Sequence, residues 1–368
     1  MSDVYFTSSR SHGNKSLLRK FASLIDKCSI DYKPGDIVAI KLHMGHPGGT
    51  SFIRPMFART LVDKIKSKNS KPYLTDTSTL YTGQRDNPID FIESAIRNGF
   101  SFSTVNAPII IADGIESKDI VKEEINLNHF KEINVASAVQ HSSSLAVISH
   151  FKLHMVTGFG GAIKNVGMGL GSRASKQRMH ASVQPKLFNE DACIACGICT
   201  NSCPENAVKL KNKLPEFDFT KCVGCAECIA HCPEHALEIQ WNENPEVVGE
   251  KIAETAYAVL NKKKNKKVFY NFLIDITPDC DCMHWSDNPI VSNIGILASN
   301  DPVAIDMASC NLVNAQKGLE SSRLRSAFNE NEDKISAIYP YSNWIKQLEY
   351  AEKIGLGSMK YNLVNIDN

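Results

Sequence analysis

The chain has 368 residues, of which 43% are hydrophobic and 22% are charged. These fractions are ordinary for a globular protein and exclude a wholly disordered chain, a collagen-like sequence and a coiled coil. Its 41 Lys and Arg residues nearly balance 40 Asp and Glu residues, so no global field attracts nucleic acid or a membrane surface. At roughly 150 residues per domain, the length predicts about two and a half domains.

The first residues lack the basic region and apolar stretch of a secretion signal, and no apolar run approaches the roughly 18 residues of a membrane span. We therefore expect a cytoplasmic protein with neither a nucleic-acid nor a membrane partner. In a reducing compartment, the twelve cysteines indicate free thiols and metal ligands rather than disulfides.

The first half of the chain alternates helical and extended patterns. A helical face runs from Leu17 to Cys28, which makes Cys28 a predicted core residue. The turn at 33–35 then leads to a strand at 37–42, and Pro55 suits the first position of a second helix. The pattern continues with strands at 72–75, 108–111 and 145–148 and a helix at 89–96.

Eight cysteines fall between Cys193 and Cys232, where the pattern C-x2-C-x2-C-x3-C-P occurs twice with an offset of 29 residues. In a bacterial-ferredoxin unit, three thiolates of a run hold one [4Fe-4S] cube and the fourth reaches the other cube. The predicted ligands of cluster one are Cys193, Cys196, Cys199 and Cys232. Those of cluster two are Cys222, Cys225, Cys228 and Cys203. Zinc and disulfides are the alternatives, but paired CxxC zinc motifs do not explain runs that end in Cys-Pro.

After the cysteines, the patterns predict a helix at 246–260, a solvated lysine-rich turn at 262–267, a strand at 268–274 and a helix capped by Asp301, with Cys310 in the core. The alternation predicts an α/β fold with an open, mostly parallel sheet, interrupted by a small α+β ferredoxin-like module. We expect a first α/β part at 1–184, the insert at 185–242 and a second α/β part at 243–368.

Polar residues concentrate where the predicted strands end, and open α/β sheets bind their ligands at that edge. If the strand ends share one edge, they enclose a pocket rich in His, Lys and carboxylate groups. The predicted pocket residues are His43, His46, Arg54, His150, Lys152, His154 and Asp275.

Cys280, Cys282 and His284 form a further candidate in the same region. Thiolates with imidazole suit zinc or iron, so an additional metal ion is one interpretation. A redox-active dithiol is another, and the short C-x-C spacing also fits residues without a chemical role.

Six glycines fall in residues 158–171, between His154 and Arg173, and the segment contains another candidate residue, Lys164. This segment matches neither a P-loop nor a Rossmann fingerprint. One interpretation is a loop that binds an anion with these two cations as counter-charges. The alternative is a loop that uses glycine for clearance beneath the cysteine-rich insert.

Seven stretches together resemble an uncharacterised iron-sulfur family, the domain of unknown function DUF362, which carries a ferredoxin domain inside it. They are 41–43, 74–81, 110–114, 149–152, 158–169, 275–282 and 295–306. The resemblance implies an iron-sulfur protein of the kind common in anaerobes and archaea, and it implies no settled reaction.

These patterns lead to one hypothesis, with alternatives from other classes. Electrons would enter from a redox partner such as a ferredoxin or reductase, pass through two [4Fe-4S] clusters and reach a substrate or second cofactor in the α/β pocket. The substrate would be a small molecule, with Lys164 binding an anionic group and a histidine or Asp275 handling protons. The alternatives are a non-catalytic electron carrier or cluster-delivery protein, and a non-redox enzyme with structural clusters.

Overall fold

The computed structural model describes residues 1–181 and 185–367. The strands are short, and most of them alternate with helices. The strands are β1 (Ser2–Ser8), β2 (Ile37–Leu42), β3 (Lys71–Asp76), β4 (Ile109–Ile111), β5 (Ile120–Glu124), β6 (Glu132–Ala136), β7 (Ser144–His150), β8 (Lys152–His154), β9 (Gly158–Gly160), β10 (Lys186–Leu187), β11 (Val208–Lys211), β12 (Leu214–Phe217), β13 (Leu237–Glu238), β14 (Lys267–Leu273), β15 (Gly295–Ser299) and β16 (Tyr361–Asn365).

The helices of the described residues range from a single turn to 17 residues. They are α1 (Leu17–Lys27), α2 (Pro55–Lys66), α3 (Pro88–Arg97), α4 (Phe102–Val105), α5 (Ser137–Gln140), α6 (Ala162–Leu170), α7 (Arg173–His180), α8 (Ile198–Asn201), α9 (Glu227–Ala230), α10 (Pro245–Asn261), α11 (Pro302–Asn314), α12 (Lys334–Ile338) and α13 (Ile345–Lys353). None of these has the length and apolar character that crossing a bilayer requires.

One eight-stranded sheet organises the fold, in the order β16-β1-β15-β14-β7-β2-β3-β4. The five neighbours from β14 to β4 are parallel, which confirms the predicted α/β class and mostly parallel sheet. At the other side, β15 runs antiparallel to both β14 and β1. Because the central strands are parallel, β2, β3, β7 and β14 all end at the same edge of the sheet.

Helices cover both faces of this sheet, so the central strands are buried on both sides. Neighbouring residues of β7 belong to the hydrophobic cores on opposite faces of the sheet. Val147 packs in the core formed with α6, α10 and α11, and Ile148 packs in the core formed with α1 and α2. Pro55 occupies the first turn of α2, as predicted. Cys28 and Cys310 lie in the two cores, also as predicted.

The lysine-rich turn differs from the prediction of a solvated segment. Lys263 is buried, and its ammonium donates to the carbonyl oxygens of Gln140, at 3.0 Å, and of Ser142. The same turn pairs Lys262 with Glu123 at 2.7 Å. Because these contacts cap the carbonyl end of α5, part of this charge run holds two elements together.

Residues 185–242 contribute no strand to the main sheet and form only short elements with a hydrophobic cluster of their own. That cluster also includes Leu80 and Ala181 from the α/β part. The predicted domain boundary after residue 184 falls at residues 182–184, which lie outside the described residues.

Candidate functional site

The cysteine-rich segment folds as two copies of one local structure, offset by the same 29 residues as its sequence. The short helices α8 and α9 begin at equivalent positions. The amide of Ala207 donates to Sγ of Cys203 at 3.2 Å, and the amide of Ala236 donates to Sγ of Cys232 at 3.3 Å. Left-handed backbone conformations also recur in equivalent pairs: Ala195 and Gly224, Gly197 and Ala226, Asn206 and His235.

Two cavities lie in this segment, and each is lined by four cysteines. The first, of about 370 Å³, is lined by Cys193, Cys196, Cys199 and Cys232. The second, of about 340 Å³, is lined by Cys203, Cys222, Cys225 and Cys228. The rest of each wall is mainly apolar. The structure thus groups the eight cysteines in the crossed manner in which two ferredoxin-type cubes would need them.

The cysteines surround these cavities instead of converging on one point. Among residues 1–181 and 185–367, no three His, Cys, Asp or Glu side chains lie close enough together to hold a single metal ion. A zinc ion would need four ligands at about 2.0–2.3 Å from one centre. No site for a single ion is therefore preformed among the described residues.

The second cavity faces the α/β part of the chain. Glu227, next to a cavity cysteine, is buried and lies 3.9 Å from Arg173 and 3.9 Å from Lys118. Leu80, from the loop after β3, packs in the same cluster as Ala226 and Cys228. The loop after β3 thus touches the wall of the second cavity.

At the sheet edge, the ends of β7 and β14 bring His150, Lys152 and Asp281 together. Nδ1 of His150 lies 2.8 Å from Oδ1 of Asp281, and Nζ of Lys152 lies 3.1 Å from Oδ2. Burial opposes ionisation of Asp281, but His150 and Lys152 hold its pKa below the usual value. Burial likewise lowers the pKa of Lys152, yet Asp281 and Cys280 raise it overall. These three side chains therefore form a buried polar cluster at the sheet edge.

A second buried group joins β2 to the loop after β3. Nη1 of Arg85 lies 2.6 Å from Nε2 of His43, and Nη2 donates to the hydroxyl of Tyr81 at 2.7 Å. Burial and the charge of Arg85 hold the pKa of His43 well below its usual value. The His43 ring is therefore neutral at pH 7.

Cys280 and Cys282 lie beside these groups, and the amide of Cys282 donates to Sγ of Cys280 at 3.4 Å. The neighbouring Cys282 thiol and the charges of Lys164 and Lys152 lower the pKa of Cys280, although burial raises it. The neighbouring Cys280 thiol and burial raise the pKa of Cys282. Of the two thiols, Cys280 is therefore the more easily ionised.

Lys41 and Lys164 differ sharply, although both reach the same pocket. Lys41 is buried, 2.9 Å from Asp76 and 2.7 Å from the amide oxygen of Asn165. Lys164 is partly exposed, and among the described residues it makes no hydrogen bond or salt bridge. Lys164 is the cation that remains available to a ligand.

His154 also belongs to this pocket. Its Nδ1 lies 3.2 Å from the amide of Val156 and 3.3 Å from that of Thr157, so Nδ1 accepts and Nε2 carries the proton. Burial and the charge of Lys164 keep the pKa of His154 well below its usual value. A neutral imidazole next to a lysine can donate a hydrogen bond to an anion.

Four other predicted pocket residues lie at the margin or point elsewhere. Arg54 pairs with Asp275 at 2.6 Å, with half of the arginine side chain exposed. His46 faces His284 with ring centroids 6.5 Å apart. Arg173 turns to the cysteine-rich segment and donates to the carbonyl oxygen of Asp86 at 2.6 Å.

Several pocket residues escaped the sequence analysis. Lys41 lies two residues before the candidate His43, and Asp281 lies between the candidates Cys280 and Cys282. Their positions next to these candidates were the only sequence signal that could have identified them. Tyr81 and Arg85 lie in an irregular loop whose position no periodic pattern reveals.

The glycine-rich segment forms strand β9 followed by helix α6, which corrects the prediction of a loop. α6 packs directly on α10, and a Cβ at Gly167 would lie 2.2 Å from the carbonyl oxygen of Ile252. At Gly161, a Cβ would collide with Asp306, whose carboxylate accepts from the amides that begin α6. Glycine here serves close packing of α6 against α10 and α11.

The fold and site describe an α/β protein whose sheet-edge pocket touches a cysteine-lined module. The family described as Domain of unknown function (DUF362) matches residues 38–311, and this chain belongs to that family. No curated protein matches the chain.

Two solved structures are similar at a low level. The lactate racemase apoprotein from Thermoanaerobacterium thermosaccharolyticum is 14% identical with a TM-score of 0.38, covering 85% of this chain and 57% of that one. A Thermotoga maritima protein is 11% identical with a TM-score of 0.38, covering 71% of this chain and 50% of that one. This chain therefore spans about half the length of either protein.

Proposed function

We propose that this protein binds two [4Fe-4S] clusters and passes electrons between a redox partner and a small anionic substrate held in the sheet-edge pocket. The observation that carries the proposal is the pair of cavities, each lined by four cysteines in the crossed grouping. When bound, such clusters supply one-electron transfer at a potential set by hydrogen bonds to sulfur, charge and exposure. A ferredoxin or a reductase is the class of partner that exchanges single electrons.

The residues around the cavities suit clusters. Two backbone amides, of Ala207 and Ala236, donate to cysteine sulfurs, and bonds of this kind stabilise negative charge on a cluster. The apolar walls include Leu210 at the first cavity and Phe217 at the second, and such walls limit the access of water. Cys196 is exposed at the first cavity, which favours that cavity as the side that meets a partner.

The pocket suits a small anion because its cations outnumber the carboxylates that pair with them. Asp76 neutralises Lys41, and Asp281 is shared by His150 and Lys152. Lys164 pairs with no carboxylate among the described residues, and the neutral ring of His154 and the Cys280 thiol lie near it. Lys164 would hold the anionic group of a substrate, and His154 would donate a hydrogen bond to it.

The test measures whether pocket residues control electron delivery. Protein loaded with clusters and reduced anaerobically would be mixed with pyruvate, fumarate or nitrite, and reoxidation followed by absorbance. We expect at least one of these anions to accelerate reoxidation, and Lys164→Met to lose most of that acceleration. The matched control is Lys209→Met, which replaces an exposed lysine of the cysteine-rich segment.

Equal reoxidation of wild type and Lys164→Met, or no acceleration by any of the anions, would favour the alternative of a non-catalytic carrier or cluster-delivery protein. Activity that is insensitive to reduction would favour a non-redox enzyme with structural clusters.

A further inference from the structure

Resting on the proposed function, we propose that Cys280 and Cys282 are a reversible dithiol-disulfide centre that exchanges two electrons with the cysteine-lined module. Cys280 is buried and Cys282 is partly exposed, and the amide of Cys282 lies 3.4 Å from Sγ of Cys280. The remaining ten cysteines are the eight that line the cavities and two, Cys28 and Cys310, in the cores of the α/β part. Each of the two pocket thiols therefore has the other as its disulfide partner.

The backbone of this segment is shaped for a bond between the two sulfurs. The amide of Met283 donates to the carbonyl oxygen of Cys280 at 3.0 Å, which closes a tight turn around both cysteines. The amide of Cys282 points at Sγ of Cys280 at 3.4 Å. A disulfide needs Cα atoms about 4.4–6.8 Å apart, a spacing that residues two apart in a turn can reach.

Asp281 fixes this turn from within. Its carboxylate is held by His150 at 2.8 Å and by Lys152 at 3.1 Å. Such an anchor limits the movement of the turn between the dithiol and disulfide states. The pair is thus pre-organised rather than dependent on a loop rearrangement.

The surrounding charges suit one thiolate and one thiol. Lys164 and Lys152 stabilise a thiolate at Cys280, while Cys282 keeps its proton. The thiolate is the reactive form in disulfide chemistry. The two cysteines therefore differ in the way that a nucleophilic and a resolving thiol differ.

A third metal ligand is missing at this position. His284 is exposed and lies edge-on to Trp285, with ring centroids 4.5 Å apart. Across the described parts of the chain, no set of three ligands that could hold an ion occurs. The redox interpretation therefore fits the pair better than the predicted metal ion.

One loop links the pair to the module. Tyr81 lies near Cys282, and burial together with Cys282 raises the pKa of the Tyr81 hydroxyl, while the adjacent residue Leu80 packs in the hydrophobic cluster that contains Cys228. Arg85 holds the Tyr81 hydroxyl in place at 2.7 Å. Two adjacent residues of one loop thus span the space between the second cavity and the thiols.

The step balances as a two-electron reduction. The S–S bond breaks when two electrons arrive singly from reduced iron-sulfur clusters, and one proton binds to Cys282. The products are the Cys280 thiolate and the Cys282 thiol. In the reverse direction, the S–S bond forms, the proton leaves and two electrons return to oxidised clusters.

The test measures the oxidation state of these two cysteines directly. Full-length protein is equilibrated anaerobically in mixtures of reduced and oxidised dithiothreitol, quenched in acid, alkylated and analysed by mass spectrometry of the peptide with both cysteines. We expect a single two-electron transition, with both thiols alkylated on one side and neither on the other. Cys282→Ser should abolish the transition, whereas Cys28→Ala should retain it. Alkylation of both thiols at every ratio would overturn the proposal.

The link to the module is tested with reduced methyl viologen, a one-electron donor. Reduced methyl viologen should reduce the disulfide in the wild type but not in Cys222→Ser. Dithiothreitol should still reduce the disulfide in this variant. Iron and sulfide are measured on the same samples. Full iron content without a dithiol transition rejects this inference alone, whereas a dithiol transition in a chain that binds no iron rejects the proposed function.

Discussion

Nδ1 of His150 lies 2.8 Å from Oδ1 of Asp281, and Nε2 of the same ring lies 2.9 Å from the carbonyl oxygen of Ile274. Both ring nitrogens thus face only acceptors, so the ring is held from both sides. This contact ties the end of β7 to the turn that carries Cys280 and Cys282. The geometry of the site therefore depends on a buried contact between His150 and Asp281.

Asp281→Asn tests this dependence. The substitution leaves Lys152 as a buried charge without a carboxylate, so we expect a loss of about 3–5 kcal/mol in the free energy of unfolding. Chemical denaturation measures it. Glu93→Gln is the control, because it removes an exposed pair with Arg97 at 3.5 Å that should contribute at most about 1 kcal/mol. Equal losses for the two variants would contradict a structural role for the buried pair.

Asp306 predicts a pH dependence of stability. Burial raises the pKa of this carboxyl from 3.8 to about 6. The folded protein therefore retains a proton between about pH 4 and 6 that the unfolded chain releases, so stability falls as pH rises through this window. The contribution reaches about 3 kcal/mol. The difference in unfolding free energy between wild type and Asp306→Asn should decrease from pH 4 to 6, and a constant difference would reject the assignment.

Gly167→Ala tests the close packing of α6 on α10. The added methyl group would lie 2.2 Å from the carbonyl oxygen of Ile252, so the helices must separate. We expect a loss of at least about 1–3 kcal/mol, as for overpacked cores. Gly249→Ala in α10 is the control, since its Cβ would meet no backbone atom nearer than 3.7 Å. A Gly167→Ala protein as stable as this control would show that the interface yields easily.

Double substitutions test the crossed ligand assignment. If Cys193 and Cys232 serve the same cluster, replacing both with Ser should remove about half of the bound iron, no more than either single change. Replacing Cys193 and Cys203 should remove nearly all of it, because one ligand of each cluster is lost. The opposite ranking would indicate that each run of four cysteines holds its own cluster.

The central sheet and the helices that cover it could be predicted because burial on both faces leaves long apolar runs, as in β2 and β7. The outer strands β1, β15 and β16 were missed. Their pairing joins the two ends of the chain, with Val4 opposite Leu363, and no local pattern encodes such a contact.

The sequence predicted the pocket residues that lie at strand ends but not those that lie in loops. Residues at strand ends, such as His150 and Lys152, could be inferred from parallel topology. Arg85 and Tyr81 could not, because a loop places them by its tertiary contacts alone. α6 was mistaken for a loop since glycine lowers helix propensity, and packing against α10 outweighs that cost.

The most direct test of the central claim is the metal and acid-labile sulfide content of anaerobically purified protein, together with paramagnetic resonance after reduction by dithionite. The account predicts about eight irons and eight sulfides per chain, with signals of two interacting cubane clusters. Zinc at about two per chain without labile sulfide would contradict it and indicate a binding protein stabilised by zinc.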